Sequence, residues 1–245
     1  MIKRKKEEFR VSTLAEREQF YDKEFSVAKE KAWFKKNNLP LPQLCAVDAG
    51  SESGIILDKK NKDTMLYFKF SELKEKIKKY LPEDIYYDRN RYKNPDKMLK
   101  TLDFNNLNSR VSEELVFDID MDNFKQKSKK NKISNQNLKK LYKIALKMRK
   151  ELLEMGFNNI GIVYSGRGFH VHVFDKKASL LSVKQREMLN KQLKHYPIDP
   201  WVSRGYIRLI RMPYSLHGLV SRIVAPVNNQ KFEIRKTIPR FLRNK

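Results

Sequence analysis

Residues 159–175 read NIGIVYSGRGFHVHVFD, a sequence that predicts two apolar strands joined by the polar turn SGRG. The segment just before it, 134–155, is the clearest predicted helix of the chain, and Gly156 favours its end. Seven apolar residues of that helix recur at steps of three and four: Leu138, Leu141, Tyr142, Ala145, Met148, Leu152 and Met155. This stretch therefore predicts a domain built from both helices and strands.

Helices and strands alternate along the rest of the chain. Residues 13–37 predict one helix, opened by Ser12 or Thr13 and ended by the segment LPLP. Further helices are predicted at 71–80, near 97–102 and at 182–194. Strands are predicted at 43–48, 64–70, 85–88 and 114–120, followed by two last strands, RIVAPV and KFEIRK, joined at Asn228-Asn229. This order predicts an α/β or α+β fold with a mixed β-sheet flanked by helices.

The charge of the chain restricts its partners. Lys and Arg number 53 against 29 Asp and Glu, which gives a net charge of +24 over 245 residues. An excess of this size indicates a polyanionic partner, either nucleic acid or an anionic membrane surface. No apolar run approaches the roughly 20 residues of a membrane-spanning helix, and the basic residues are spread along the chain. Nucleic acid is therefore the favoured partner.

The single cysteine, Cys45, excludes an internal disulfide and a multi-thiolate zinc or iron–sulfur site within this chain. It lies in the apolar run QLCAV, where we expect a buried thiol. The basic N-terminus, MIKRKKEEFR, lacks the apolar stretch of a signal peptide. We expect a cytoplasmic protein, or a nuclear one in a eukaryote.

Two carboxylates end the predicted strand ELVFDID. Asp118 and Asp120 are two residues apart, so both side chains project from one face of the strand. Like charges this close repel unless divalent cations neutralise them, and oxygen ligands suit magnesium or manganese. The alternative is a solvated strand-to-loop turn. Asp122 follows at the same step and is predicted to be loop surface, with a third ligand as the alternative.

The segment YSGRGFH, 164–170, has the composition of a phosphate cradle. Gly166 and Gly168 allow a tight turn and a close approach of backbone N–H groups to an anion. The side chains that suit phosphate oxygens are Ser165, Arg167 and His170. An ordinary glycine-containing hairpin is the alternative, and the spacing of a P-loop is absent.

The segment 199–217 adds a third carboxylate, Asp199, and further basic groups. Arg208 and Arg211 are three residues apart and would share a face in a helical turn. Pro213 would end that turn, and Ser215 and His217 follow in a constrained loop. A lone Asp before a proline is more often a cap, so Asp199 gains its interest only from the other two segments.

Two polar features are predicted to be structural. His172 lies on the same strand face as His170, and we expect a packed or solvated histidine. The basic segment KQKSKKNKI, 125–133, is predicted to be a solvated connection, with a contact to phosphates as the alternative.

Together the three segments supply carboxylates for two metals and Ser, Arg and His side chains for a triphosphate, which is the chemistry of phosphoryl or nucleotidyl transfer. In this order they resemble the small catalytic subunit of the archaeal and eukaryotic DNA primases. ELVFDID is similar to the family's D-x-D strand, YSGRGFH to its S-G-R-G-x-H motif, and RLIRMPYSLHG to its R-L-x-R-x-P-x-S-L-H motif. The family's third metal-binding Asp precedes the last motif histidine by eighteen residues, the spacing of Asp199 and His217.

The resemblance covers most of the chain and implies one primase catalytic domain, 1–245, with an N-terminal part, 1–105, and a part that carries the motifs, 106–245. It implies two metals, Mg²⁺ or Mn²⁺, on Asp118, Asp120 and Asp199. It implies nucleotide-phosphate contacts from Ser165, Arg167, His170, Arg211 and His217. The implied partners are a single-stranded DNA template, NTP or dNTP, and a primase large subunit or a fused equivalent. The implied activity is primer synthesis in DNA replication.

Three departures from the family are visible. The basic segment 125–133 stands where many members carry a cysteine-rich zinc knuckle, and the long helical insertion before the third Asp is missing. Leu219 stands two residues after the motif histidine, where the family usually has a Lys that contacts a phosphate. Arg222 is the candidate for supplying that contact instead. Two alternatives stay open: a primase-like polymerase of end-joining repair, and a catalytically silent single-strand binder.

Overall fold

The structure is a computed structural model that describes residues 9–50, 52–55, 65–104, 107–123, 133–227 and 231–243. Its helices are α1 Leu14–Lys23, α2 Val27–Lys36, α3 Leu73–Tyr80, α4 Pro95–Thr101, α5 Asn135–Glu154, α6 Lys176–Ser179, α7 Val183–Gln192, α8 Pro200–Arg204 and α9 Arg240–Arg243. Within these ranges no helix combines the length and the apolar character needed to cross a membrane.

The strands form two main sheets and one small ribbon. They are β1 Gln43–Val47, β2 Met65–Lys69, β3 Asp84–Asp88, β4 Asn90–Tyr92, β5 Arg110–Glu113, β6 Leu115–Ile119, β7 Ile160–Tyr164, β8 Phe169–Val173, β9 Leu209–Arg211, β10 Leu216–His217, β11 Arg222–Ile223 and β12 Ala225–Val227. The first sheet has the order β11-β10-β3-β1-β2, with β9 also paired to β3. The second sheet has the order β12-β7-β8-β6, and β4 pairs with β5. The first sheet thus combines strands from residues 43–88 with strands from residues 209–223.

The α+β class is confirmed, but the expected mixed sheet is corrected. All strand pairs among the described residues are antiparallel. The helix α5 does connect two strands that run in the same direction, β6 and β7, because both are antiparallel to β8. The strand β8 lies between them, so the two never pair. Alternating helices and strands along the chain therefore did not produce a parallel pair.

The predicted helix 13–37 is divided in two. Thr13 forms a capping box with Glu16 at the start of α1, as one of the two expected caps. The side chain of Ser26 accepts a hydrogen bond from the backbone of Lys29 and begins α2. A serine that caps a second helix ends the first one, which apolar spacing alone does not reveal.

The prediction of a last strand in KFEIRK is also corrected. Residues Ile234–Thr237 form a 3₁₀ turn, and the ring of Phe232 packs 5.0 Å from the rings of Tyr164 and Phe169. Packing of the Phe232 ring on these rings therefore accompanies a turn in place of the predicted strand. The predicted turn at Asn228-Asn229 and most of the basic segment 125–133 lie outside the described residues.

The two faces of the second sheet differ sharply. On the outer face, apolar residues of β6, β7 and β8 pack with α5. The inner face is turned toward the first sheet, and Val116 and Val163 join the core of that sheet. Because side chains alternate along a strand, the residues between the outer apolar ones also point inward. Apart from Val116, the inward residues of β6 and β8 named here are polar: Asp118, His170 and His172.

Cys45 is fully buried in β1 and is not part of a disulfide, as expected.

Candidate active site

Asp118 lies on the inner face of β6, directly opposite His170 of β8 in the strand register. Its carboxylate oxygen Oδ1 is 3.7 Å from Nε2 of His170, and its side chain is 20% exposed. The flanking residues Phe117 and Ile119 point to the outer face and are fully buried, which fixes the direction of Asp118. The strand therefore presents this carboxylate to the space between the sheets.

The other two carboxylates lie beside it. Asp120 follows β6 on the same side, and Asp199 is attached through the main chain, because its N–H donates to the carbonyl oxygen of Asp118 at 2.8 Å. A bridge between Ile119 and Ile198 supports this contact. Burial, and then the charges of Asp120 and Asp199, raise the pKa of Asp118 to about 7. The structure thus brings together the three predicted carboxylates.

The turn SGRG packs against protein atoms on both sides. Gly166 has a φ of +101°, and a Cβ there would lie 2.5 Å from Nδ1 of His217. A Cβ on Gly168 would lie 2.1 Å from the carbonyl oxygen of Ile119. The N–H of Gly168 donates to the hydroxyl of Ser165 at 3.1 Å. The glycines therefore permit contact of this turn with the motif histidine and with β6, whereas the sequence interpretation assigned them to an anion.

Arg167 is held by carboxylates in this structure. Its guanidinium contacts Asp122 at 2.5 Å and lies 3.8 Å from Asp120. Asp122 is 69% exposed, as expected for loop surface, but it pairs with a predicted phosphate ligand. The Oδ1 atom of Asp120 is buried and finds no hydrogen-bond partner among the residues described.

The two motif histidines are buried and face the same space. The ring of His217 is fixed by a hydrogen bond from Nδ1 to the carbonyl oxygen of Ser165, 2.9 Å. Within the described part of the chain, Nε2 of His217 and Nδ1 of His170 have no hydrogen-bond partner. Burial first, and then nearby positive charges, hold the pKa of both rings well below the usual range. Since Nδ1 of His217 donates, its Nε2 can donate to a phosphate oxygen only when the ring is protonated.

Arg211 belongs to the site, but the predicted helical turn around it is wrong. Leu209–Arg211 is strand β9, so Arg208 and Arg211 do not share a face. Arg211 donates from Nε to Asp84 at 3.2 Å and lies over the ring of Tyr86. Arg208 pairs with Asp88 at 2.6 Å and stacks on the ring of Phe104. The sequence RLIR fits strand and helix equally, and pairing with β3 decides for the strand.

The acidic residues that orient Arg211 and His172 were not predicted from the sequence. Asp84, at the start of β3, holds Arg211, and burial raises its pKa. Glu114, just before β6, contacts Nδ1 of His172 at 2.8 Å and accepts from the hydroxyl of Tyr87 at 2.7 Å. His172 is fully buried, which confirms the packed histidine. The only sequence signal was a charged residue beside an apolar strand, which does not reveal a partner far along the chain.

Two further polar residues, Ser215 in the third segment and Arg222 after it, make structural contacts. The hydroxyl of Ser215 donates to the carbonyl oxygen of Met212 at 2.6 Å. Arg222 is fully buried, donates to the carbonyl oxygen of Ser221 and lies over the ring of Phe9. These contacts are therefore with a backbone oxygen and an aromatic ring, and a phosphate contact by Arg222 stays a prediction.

The carboxylates fit a divalent cation in part. Across the described ranges, no set of three or more His, Cys, Asp or Glu side chains is arranged to hold a metal ion. At Asp199, Oδ1 accepts a hydrogen bond from the N–H of Trp201, 2.8 Å. Asp118 and Asp120 do fit a cation, because burial and then the charge of Asp120 raise the pKa of Asp118, and an oxygen of Asp120 is buried without a hydrogen-bond partner among the described residues.

Similar sequences identify the family of this chain. A sequence model of the DNA primase small subunit matches residues 117–196. An Archaeoglobus fulgidus protein described as an uncharacterized DNA primase small subunit-like protein is 37% identical, over 95% of this chain and 91% of that protein. The chain therefore belongs to the DNA primase small subunit family, which consists of DNA-directed primases and polymerases.

Longer relatives are more distant. The DNA primase small subunit PriS of Pyrococcus furiosus is 32% identical over 72% of this chain, and the chain spans 47% of that protein. The PriS of Pyrococcus abyssi is 28% identical, with 95% of this chain and 68% of that protein covered. Among solved structures, the polymerase domain from Mycobacterium tuberculosis ligase D in complex with DNA has a TM-score of 0.49 and 12% identity. It covers 89% of this chain and 81% of that one.

Proposed function

We propose that this chain is the catalytic subunit of a DNA primase and synthesises short primers de novo on single-stranded DNA by two-metal nucleotidyl transfer. The observation that carries the proposal is the meeting of three carboxylates with basic side chains in the space between the two sheets. The carboxylates come from β6, from the residue after it and from the N-cap of α8, and the basic groups come from the SGRG turn, β8, β9 and β10. Family membership supports the same activity.

Asp118 and Asp120 would hold Mg²⁺ or Mn²⁺, and Asp199 would join them once its carboxylate turns away from the N–H of Trp201. Cations held by these residues would supply the charge that lowers the pKa of an attacking 3′-hydroxyl and that offsets the charge of the triphosphate and the leaving pyrophosphate. The raised pKa of Asp118 means that its carboxyl must lose a proton before it can act as a ligand.

The basic side chains have separate tasks. Arg211 is already oriented by Asp84 and offers its remaining guanidinium donors to a phosphate. Arg167, now paired with Asp122, would move to the triphosphate when the carboxylates hold cations. His170 and His217 carry little charge while the site is free of phosphate, and an incoming phosphate favours their protonated, donating forms. Ser165 offers its hydroxyl proton, because its oxygen already accepts from Gly168.

The proposal includes partners. A single-stranded template, NTP or dNTP, and a large subunit or a fused equivalent are expected for an enzyme of this type. The net charge of +24 suits contacts to template and primer backbones that do not depend on sequence. If initiation on bare template were equal with and without a primase large subunit, the dependence on that partner would be excluded.

The test is synthesis on a bare single-stranded template with labelled nucleotides and magnesium or manganese, with products sized on a gel. Asp118→Ala and Asp120→Ala should each reduce synthesis by roughly a thousandfold or more, because electrostatic stabilisation at the reacting phosphate is lost. Template binding should survive. Asp22→Ala, which removes an exposed carboxylate of α1, is the matched control.

Near-normal synthesis by either site variant would contradict the metal assignment. Synthesis by the unmodified chain on annealed ends but not on bare template would exclude primer initiation and favour an end-joining polymerase.

A further inference from the structure

An aromatic pair stands exposed beside the carboxylates. Trp201, in α8, is 59% exposed and Tyr206, just after it, is 55% exposed. Their ring centroids are 5.2 Å apart. Ile207, next in sequence, is 43% exposed. Adjacent apolar side chains that are all exposed to solvent often mark an interaction site.

The backbone beneath this pair is held rigidly. The guanidinium of Arg89 is fully buried and donates to the carbonyl oxygens of Val202, at 2.8 Å, and Ile207. Glu113 pairs with the same guanidinium at 3.0 Å. Backbone N–H groups of Tyr206 and Ile207 both donate to the carbonyl oxygen of Trp201. The exposed rings are therefore presented by a fixed turn.

This turn is coupled directly to the carboxylate site. The N–H of Trp201 donates to Oδ1 of Asp199, and the N–H of Asp199 donates to the carbonyl oxygen of Asp118. Trp201 is thus two residues after Asp199, a proposed metal ligand. Arg204 lies three residues beyond Trp201 on α8, is partly exposed, and has a buried Nε with no hydrogen-bond partner in the described part of the chain.

We propose that Trp201 and Tyr206 form a stacking platform for an unpaired base of a single nucleic-acid strand, with Arg204 as a contact for its backbone. Every base has a π-face, so aromatic side chains bind single strands without reading their sequence. The net charge of +24 favours this polyanion over a second copy of the chain, which carries the same charge. The inference rests on the proposed function, because it takes the strand beside the carboxylates to be template or primer.

Tryptophan fluorescence reports on Trp201. The chain has two tryptophans, and the other, Trp33, is only 6% exposed. The protein is titrated, without metal or nucleotide, with oligothymidylate of about ten nucleotides, within the usual site size of such strands. A second titration uses a sugar-phosphate strand of equal length that lacks bases. Oligothymidylate should quench the emission and the baseless strand should not. Trp201→Phe should remove the quenching, because Trp33 stays in the core.

Affinity provides the second measurement. Trp201→Ala and Tyr206→Ala should each weaken oligothymidylate binding roughly tenfold and leave the baseless strand unaffected, because stacking needs a base. Leu180→Ala removes another exposed apolar side chain, 60% exposed, and should change neither affinity.

Equal binding and equal quenching by the two strands would overturn the platform. So would an emission change that follows protein concentration alone, since that would identify an interface between copies. Failure of the proposed function is separable: a protein that binds and quenches as expected but makes no product would retain the platform and lose the primase assignment.

Discussion

The two faces of the second sheet are built from the same strands but differ in polarity: the outer face is apolar and packs in the core, and the inner face carries carboxylates and histidines. The outer face buries Leu115, Phe117 and Ile119 of β6 against α5. The inner face of the same strand exposes Asp118 to two further carboxylates, at the cost of a pKa raised to about 7. The alternation of a strand therefore lets a stable surface and an electrostatically unfavourable one share one backbone. We therefore expect substitutions on the outer face to change stability and substitutions on the inner face to change the proposed activity.

The largest effect should follow from a change on the outer face. Leu141, fully buried in α5, packs in the core against this sheet. Leu141→Ala should lower the free energy of unfolding by about 3 kcal/mol, through lost burial and a residual cavity. Denaturant unfolding measures it, with Leu41→Ala, at a half-exposed leucine, as the control. Synthesis per folded molecule should be unchanged. A loss of activity in fully folded protein would show that the faces are coupled.

A substitution at Asp118 on the inner face should raise the stability of the protein. Burial and like charges raise the pKa of Asp118 above its unfolded value, so this carboxyl stabilises the fold below about pH 4. That contribution is lost as the pH rises toward about 7. Asp118→Asn should therefore stabilise the metal-free protein at pH 8 and give no gain at pH 4. The gain should exceed the roughly 1.4 kcal/mol that one pKa unit represents.

The control for this pH dependence is Asp22→Asn, in an exposed position on α1. Unfolding is followed from pH 4 to pH 8 for both variants and the unmodified chain. Parallel curves for Asp118→Asn and the unmodified chain would contradict the electrostatic strain assigned to the inner face.

The smallest effect concerns the helix that covers the outer face. The side chain of Ser134 accepts a hydrogen bond from the backbone of Asn137 and caps α5. Ser134→Ala should cost about 1 kcal/mol of stability, and Ser134→Asp should cost little because Asp also caps. Thermal unfolding distinguishes the two. An equal loss in both variants would mean that capping is not the cause.

The sequence predicted those features that depend on neighbours along the chain. Periodicity located α5 and its buried residues, and strand alternation placed Asp118 and Asp120 on one side. The motifs also located the SGRG turn, Asp199 and His217. Features set by distant partners were missed. The pair Arg211–Asp84 spans 127 residues, and the contact of His172 with Glu114 spans 58. No local pattern encodes such pairs.

The errors have the same origin. RLIR was predicted to be helical because three-residue spacing was considered without β3, which pairs with it. KFEIRK was predicted to be a strand because its alternation was considered without the aromatic rings that receive Phe232. The helix 13–37 was predicted to be continuous because the apolar spacing hides the cap at Ser26.

The main-chain hydrogen bond from Asp199 to Asp118 has a consequence for how such proteins can vary. It ties the third carboxylate to β6 without using either side chain, so its position does not depend on the 25 residues between β8 and Asp199. That intervening segment can lengthen or shorten while the two aspartates stay in register. This chain and one about one and a half times as long can therefore hold the third carboxylate at the same place.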